Sequence, residues 1–342
     1  MTQKILINAK WRTHASTSGV QRYAEGISHA IEQSDLNAEW VMPAHSGRFK
    51  TAIWEQRTLP KLARDTDVLF CPANMAPVRT PSQVKLVVVL HCLRYRFYPN
   101  SYSSAFVRWY ERMIPKIIER SDRLLTVSDA QKQEIENVYP HARGKVGVLS
   151  PGLDSVFCPK SGRVSEEPYI ICLANSSPAK NLGVLFRAYA MMKSRPKLLL
   201  AGVTSAELEM MCPSSLRGDI EPLGQINDTS RLAALLSGAH ALVSPSKYES
   251  FGLPCLEAMG CATPVIASDL PAHREVCQDA AIYSSTVNPE EWADAITRVM
   301  ADRALRTHLA AAGLERSRHF TWERSLGALK HELARLGSQV LA

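Results

Sequence analysis

The chain has 342 residues, enough for two domains with separate cores, and its 46% hydrophobic content is ordinary for a folded soluble protein. No apolar run approaches the roughly 18 residues that cross a bilayer, and the opening Met1-Thr2-Gln3 runs straight into an apolar segment with no signal-peptide pattern. The net charge of +7 lies wholly in the first half: residues 1–155 hold 21 Lys and Arg against 14 Asp and Glu, residues 156–342 hold 19 against 19. That asymmetry points to an acidic partner for the first half, either a membrane surface or a phosphate-bearing acceptor. A nucleic-acid partner is not supported by any recognition motif. Eight cysteines (71, 92, 158, 172, 212, 255, 261 and 277) include no CxxC pair and read as reduced core residues of a cytoplasmic protein.

In chain order, KILINA (4–9) predicts a first strand, followed by a loop and a helix over 20–33. DVLFC (67–71), KLVVVLHC (85–92), RLLTVS (123–128) and KVGVLS (145–150) predict further strands, with helices over 102–121 and 129–137. The stretch 150–168, rich in Pro, Gly, Ser and charge, reads as a linker. The second half repeats the plan: YIICLA (169–174), a helix over 181–193, KLLLAG (197–202), IEPLG (220–224), a helix over 229–238, a strand at 241–243 and TPVIAS (263–268). Strands alternating with helices imply α/β architecture with parallel, doubly wound sheets. The expectation is two Rossmann-like domains, 1–155 and 156–318, facing a central cleft. In 319–342, Thr321 is a plausible N-cap for a helix with Trp322, Leu326, Leu329 and Leu333 on one face, which could close the second core.

The richest stretch is 240–260, HALVSPSKYESFGLPCLEAMG. Ala241-Leu242-Val243 predicts a buried strand, Ser244 to Gly252 a loop, and the segment after it a helix whose first turn contains Pro254, where the missing N–H costs nothing. Ligands of open α/β sheets sit beyond the carboxyl ends of strands, and free N–H groups at Gly252 and Leu253 would attract phosphate. Glu249 in the loop and Glu257, expected in the first helical turn, bracket this point. Ionised carboxylates accept two sugar hydroxyls as readily as they sit solvated or complement a dipole.

The string P-S-x-x-E-S-F-G-L-P-x-L-E-A-M resembles the signature of family-4 retaining glycosyltransferases of the GT-B fold, with Glu249 and Glu257 as its E-x7-E pair. The resemblance implies transfer of a sugar from a nucleoside diphosphate donor with retention and without a metal or other cofactor. It makes 1–155 the acceptor-side domain and 156–318 the donor domain, with the last helix crossing back to the first. Glu249 would grip the donor sugar, Glu257 the ribose, and Ser250, Phe251, Gly252 and Leu253 would line the donor site.

Other stations follow from the same resemblance. Gly19, at the head of the helix in STSGVQRYAEG, matches the family's glycine loop, with Arg22 on the acceptor side; alone it is a turn glycine. G-V-x-R-Y is similar to bacterial mannosyltransferases that assemble surface polysaccharides, implying GDP-mannose as donor and an oligosaccharide acceptor; the basic first half points to an acceptor linked to lipid pyrophosphate at the inner face of the cytoplasmic membrane. His91 ends a strand; a buried core histidine is the plain reading, a position beside the donor sugar the implied one. Cys92 stands where the family often has Asp. In LANSSPAKN (173–181), Lys180 and Asn181 match a diphosphate clamp whose Arg is here Asn175. DLPAHREV (269–276) reads as a donor-holding loop without a catalytic residue.

Two further patterns have bland readings. Asp65-Thr66-Asp67 precedes a strand and reads as a solvated turn, not a metal pair. YSSAFVRWYERMIPKIIERS (102–121) mixes aromatic and basic residues, so it either packs on its sheet or rests on anionic lipid. A nucleotide-sugar epimerase and a non-catalytic nucleotide-sugar binding protein remain as alternative functions. A dinucleotide-dependent oxidoreductase lacks the G-x-G-x-x-G expected after 4–9.

Overall fold

Short runs of Val, Ile and Leu, most of them followed by a helix, bury both faces of a sheet and so favour parallel pairing. The computed structural model describes residues 3–13, 18–160 and 167–338 and divides the chain into two units, Met1–Gly152 with Phe320–Ala342, and Leu153–His319. Residues 14–17 of the loop before Gly19, 161–166 of the expected linker, 339–342, Met1 and Thr2 lie outside the described residues.

In the first unit, β1 (Ile5–Asn8), β2 (Ala38–Val41), β3 (Val68–Cys71), β4 (Lys85–Val89), β5 (Arg123–Thr126) and β6 (Val146–Val148) form one parallel sheet in the order β2-β1-β3-β4-β5-β6. The order reverses between β1 and β3, where Ile5 faces Val68. The helix Gly19–Glu32 starts at a reciprocal cap: Gln21 N–H donates to Ser18 Oγ, and Ser18 N–H donates to Gln21 Oε1. The helix Ser104–Arg120 buries Met113, Ile114, Ile117 and Ile118. Of its aromatic residues, Phe106 stacks with Tyr102 and Tyr110, and Tyr110 meets Tyr95 edge-on, beside the core. The outward face keeps Arg108, Trp109, Arg112 and Lys116.

The last helix, Trp322–Ser338, packs in this first unit. Thr321 Oγ1 accepts from Arg324 N–H, and Leu329, Leu333 and Leu336 are buried. Arg123 holds Glu332 with two hydrogen bonds, of 2.6 and 2.8 Å. A Cβ on Gly26 would fall 2.0 Å from the Trp322 ring, so only glycine lets the two helices approach this closely.

In the second unit, β7 (Tyr169–Leu173), β8 (Lys197–Ala201), β9 (Ile220–Gly224), β10 (Ala241–Ser244), β11 (Val265–Ser268) and β12 (Ala281–Ser284) pair in parallel in the order β12-β11-β10-β7-β8-β9. The reversal falls between β7 and β10. Trp292 is fully buried in this core, and its indole N–H donates to the Ser285 carbonyl at 2.7 Å. Trp292→Ala is expected to cost about 3–5 kcal/mol, read as a lower urea midpoint at unchanged m-value. The segment 269–276, read as a loop, contains a helix, Pro271–Cys277, with Pro271 at its first position where the fixed φ suits it. Asp65-Thr66-Asp67 is a turn whose Asp67 carboxylate accepts from the Lys4 N–H. All eight cysteines are free. Among the described residues no helix is long and apolar enough to cross a membrane.

Candidate active site

Open α/β sheets bind ligands outside the carboxyl ends of the strands where the strand order reverses. In the second unit that point lies between the loop after β7, which carries Asn175 and Lys180, and the loop after β10, which carries Glu249 to Gly252. One backbone hydrogen bond and the side-chain amide of Asn181 tie these loops together. Lys247 N–H donates to the Ala179 carbonyl, and the Asn181 amide donates to the carbonyls of Pro245 and Thr286 at 3.0 and 2.8 Å. Asn181 sits in the left-handed region, at φ 55, which a short amide side chain tolerates. Its part is therefore to set the loop, while its neighbour Lys180 points into it.

The site helix, Leu253–Gly260, begins at Gly252 with φ 102 and ψ 47, a conformation natural only to glycine. By position the N–H groups of Gly252 and Leu253 have no intrahelical acceptor, and Pro254, second in the helix, has no N–H to leave unpaired. Glu257 is the fifth helical residue, in the second turn and not the first, and is 2% exposed. Leu253, ahead of the proline, already adopts helical geometry and moves every later residue on by one. Phe251 is buried and Ser250 half-buried beside the turn.

Glu249 is the most elaborately held group here. Its Oε1 accepts from Lys180 Nζ at 2.6 Å and from Ser246 Oγ at 2.8 Å; among the described residues Oε2 has no hydrogen-bond partner. Burial alone would raise the Glu249 pKa, but the Lys180 ammonium and then His273 outweigh it and hold the carboxyl below its ordinary range. The group is thus an ionised acceptor with one oxygen pinned and the other open. Asn175 is exposed, and its Oδ1 accepts from the Ser177 N–H at 3.1 Å, so part of its capacity goes to shaping the loop.

In the first unit, His91 follows β4 at the same end of its sheet. Its N–H donates to Asn74 Oδ1 at 2.7 Å, and Nε2 lies 2.7 Å from the Pro72 carbonyl. A carbonyl only accepts, so Nε2 carries the proton and Nδ1 is the free acceptor of the ring. The imidazole meets the edge of Tyr23, whose own hydroxyl donates to the Leu149 carbonyl and whose ring also meets Trp322. Arg22, fourth in the first helix, is half-buried, and Gly19 opens that helix exposed.

Burial pushes the His91 pKa from 6.5 down to about 4, the Pro72 carbonyl offsetting only part of this. The folded chain therefore binds fewer protons here than the unfolded chain between those values, and stability complete above pH 6.5 is lost as pH falls through this window. The loss is on the order of 3 kcal/mol at most. His91→Asn is expected to flatten the fall of the urea midpoint over that range; parallel slopes for the two proteins would contradict it.

Sequence reading brought Lys180, Glu249, Gly252 and Glu257 to one place, but paired Lys180 with a ligand where the resting partner is Glu249. It passed over two residues. Ser246 is a buried donor on Glu249, and His273 is a fully buried histidine whose Nδ1 lies 2.9 Å from the Ser268 carbonyl. Ser246 stands in the P-S-x-x-E string three residues before Glu249, a signal that could have marked it, while His273 carries none beyond its residue type.

Two Rossmann-like units, each parallel and each doubly wound, are the two-domain α/β architecture of the GT-B glycosyltransferases. Sucrose-phosphate synthase from Thermosynechococcus elongatus matches over 99% of both chains with TM-score 0.76 at 18% identity. The lipopolysaccharide glycosyltransferase WaaG matches over 94% of this chain and 98% of its own, with TM-score 0.70 at 14% identity. The sequence family "Glycosyl transferases group 1" matches residues 157–316, and "Glycosyltransferase Family 4" matches residues 38–157. The chain belongs to family 4 of the GT-B glycosyltransferases.

O-antigen chain mannosyltransferase B of Escherichia coli is 26% identical over 257 residues, 70% of this chain and 67% of that protein. O-antigen chain mannosyltransferase RfbU of Salmonella typhimurium is 29% identical over 218 residues, 62% of this chain and 60% of its own. D-inositol 3-phosphate glycosyltransferase of a Nocardioides species is 29% identical over 241 residues, 61% of this chain and 52% of its own. The chain thus spans half to two thirds of the length of the curated relatives it matches.

Proposed function

We propose that the chain transfers mannose from GDP-mannose, with retention of anomeric configuration and without a metal ion, to a growing oligosaccharide of bacterial surface polysaccharide. The acceptor is carried on a lipid pyrophosphate at the inner face of the cytoplasmic membrane. One observation carries the reading: a glycine-started helix N-terminus at the strand-order reversal, with Glu249, Lys180 and Glu257 around it. The similarity to O-antigen chain mannosyltransferases supports the sugar and the product class. The positive excess of residues 1–155 and the outward Arg108, Trp109, Arg112 and Lys116 support an anionic, membrane-borne acceptor.

The difficult step is breaking the anomeric C–O bond as negative charge grows on the diphosphate. Lys180, the amides at 252–253 and the positive end of the site helix receive that charge, and the amide of Asn175 adds a neutral donor. Glu249 holds the sugar hydroxyls through Oε2 and Glu257 the ribose diol. His91, a neutral ring with Nδ1 open, positions the reacting centre, with Gly19 and Arg22 on the acceptor side. The acceptor hydroxyl attacks the face the diphosphate leaves, and a departing phosphate oxygen takes its proton.

The test is a panel of nucleotide sugars. GDP-mannose is expected to raise the melting midpoint most, since a ligand stabilises according to its affinity and concentration. GDP release is expected to need a lipid-linked acceptor and to survive EDTA. Conversion of donor alone would indicate an epimerase, and binding without release a non-catalytic protein. Since relatives of similar identity are named for D-inositol 3-phosphate, an inositol phosphate is the second acceptor to include; the basic first half fits it equally.

A further inference from the structure

The donor side of the second unit is short of positive charge: Asn175 has none, and Lys180 is already on Glu249. Behind the Gly252 turn lies an imidazole that the reaction above does not use. His273, third residue of the helix Pro271–Cys277, is 0% exposed. Its Nδ1 faces the Ser268 carbonyl and so carries a proton. A Cβ built on Gly252 would lie 2.9 Å from His273 Cδ2 and 3.4 Å from Nε2, so the ring edge rests against the backbone of the turn. Among the described residues Nε2 is buried with no well-formed hydrogen bond, the weak Cys255 thiol being the one side chain that acts on the ring in that way. A buried polar atom left unmatched costs about 1–3 kcal/mol and calls for a reason.

We propose, resting on the donor site assigned above, that His273 is a positioning residue of that site. Its ring seats the left-handed turn, and a proton on Nε2 sets a second positive charge behind the amides that receive a nucleoside diphosphate. A cation at the positive end of a helix is disfavoured while the site is empty and favoured once an anion docks, so binding and protonation help each other.

The titratable groups that act on the ring are Cys255 of the site helix and Glu249, itself held by Lys180; Cys277 acts on Cys255, and the Tyr283 hydroxyl of β12 donates to the His273 backbone carbonyl. Burial disfavours the imidazolium; Cys255, Glu249 and the Ser268 carbonyl favour it, and the pKa is raised. Cys277 and burial push the Cys255 thiol up, so it meets the ring as a neutral group, whereas Glu249 beside it is ionised.

The experiment is calorimetry of GDP and UDP with the full chain and His273→Asn, whose amide can still donate to Ser268. The variant is expected to bind either diphosphate about tenfold more weakly at neutral pH, with the gap closing as the wild-type ring deprotonates at high pH. Comparing the two proteins cancels titration of the nucleotide. Equal affinities, or a gap that does not change with pH, would overturn the proposal, the latter leaving only a packing role. Should the variant not fold, the His273 imidazole of the wild type is followed by NMR with and without GDP. Its pKa is expected to rise on binding, and an unchanged or lower value overturns the inference. A wild type that binds neither diphosphate removes the donor site itself, and this inference with it.

Discussion

Alanine at position 249 is expected to slow sugar transfer about a hundred- to a thousandfold, the usual consequence of removing one preorganised charged group from a reacting centre. The carboxylate is held before any donor arrives: Lys180 and Ser246 fix Oε1 and leave Oε2 open. Little reorganisation is then needed when the anomeric carbon gains charge. The substitution also leaves the Lys180 ammonium without its carboxylate, but that side chain is 14% exposed and flexible enough to reach water. The melting midpoint should therefore fall by only a few degrees and the circular dichroism stay unchanged. Glu249→Gln keeps the shape and one acceptor oxygen, so its turnover should lie between those of wild type and alanine. A donor-consumption assay with all three reads the result; unchanged turnover in the alanine variant would remove Glu249 from the reaction.

Gly252→Ala is expected to be nearly as damaging, by another route. At φ 102 a Cβ is strained, which costs about 1–3 kcal/mol. The added methyl would also lie 2.9 Å from the His273 ring. Neither backbone nor ring has room to yield, because His273 is buried and tied to Ser268. The turn must re-aim its amides, and diphosphate affinity should drop at least tenfold. Calorimetry with GDP, alongside a urea midpoint, separates lost binding from lost stability; wild-type affinity would mean that the amides do not face the donor.

Much of this architecture can be read from residue order. The interior strands announce themselves because both faces are covered and their central positions are apolar, with polar residues confined to their ends. Two edge strands do not: β2 is half-buried with Glu39 exposed, and β12 is half-buried at Ala281, Ile282 and Tyr283. The helix at 271–277 was hidden by Pro271, which reads equally as a loop residue and as a helix start. In Ser104–Arg120 the sequence left open which aromatic residues pack inward, and contacts from Tyr95 and Tyr102 place Phe106 and Tyr110 there while Trp109 stays outward.

At the site, residue identities were legible through their spacing around Pro254, but partners distant in sequence were not. The Lys180–Glu249 pair spans 69 positions, and the Pro72 carbonyl reaches His91 only because β3 lies beside β4. His273 was invisible for the same reason: its importance rests on the glycine it touches, not on any motif around it.

The proposal stands on where a leaving diphosphate docks. Crystals soaked with GDP decide this: both phosphates should lie within hydrogen-bond reach of the Gly252 and Leu253 amides, with the ribose on Glu257. Nucleotide bound at another strand end, or phosphates turned away from that helix start, would contradict it.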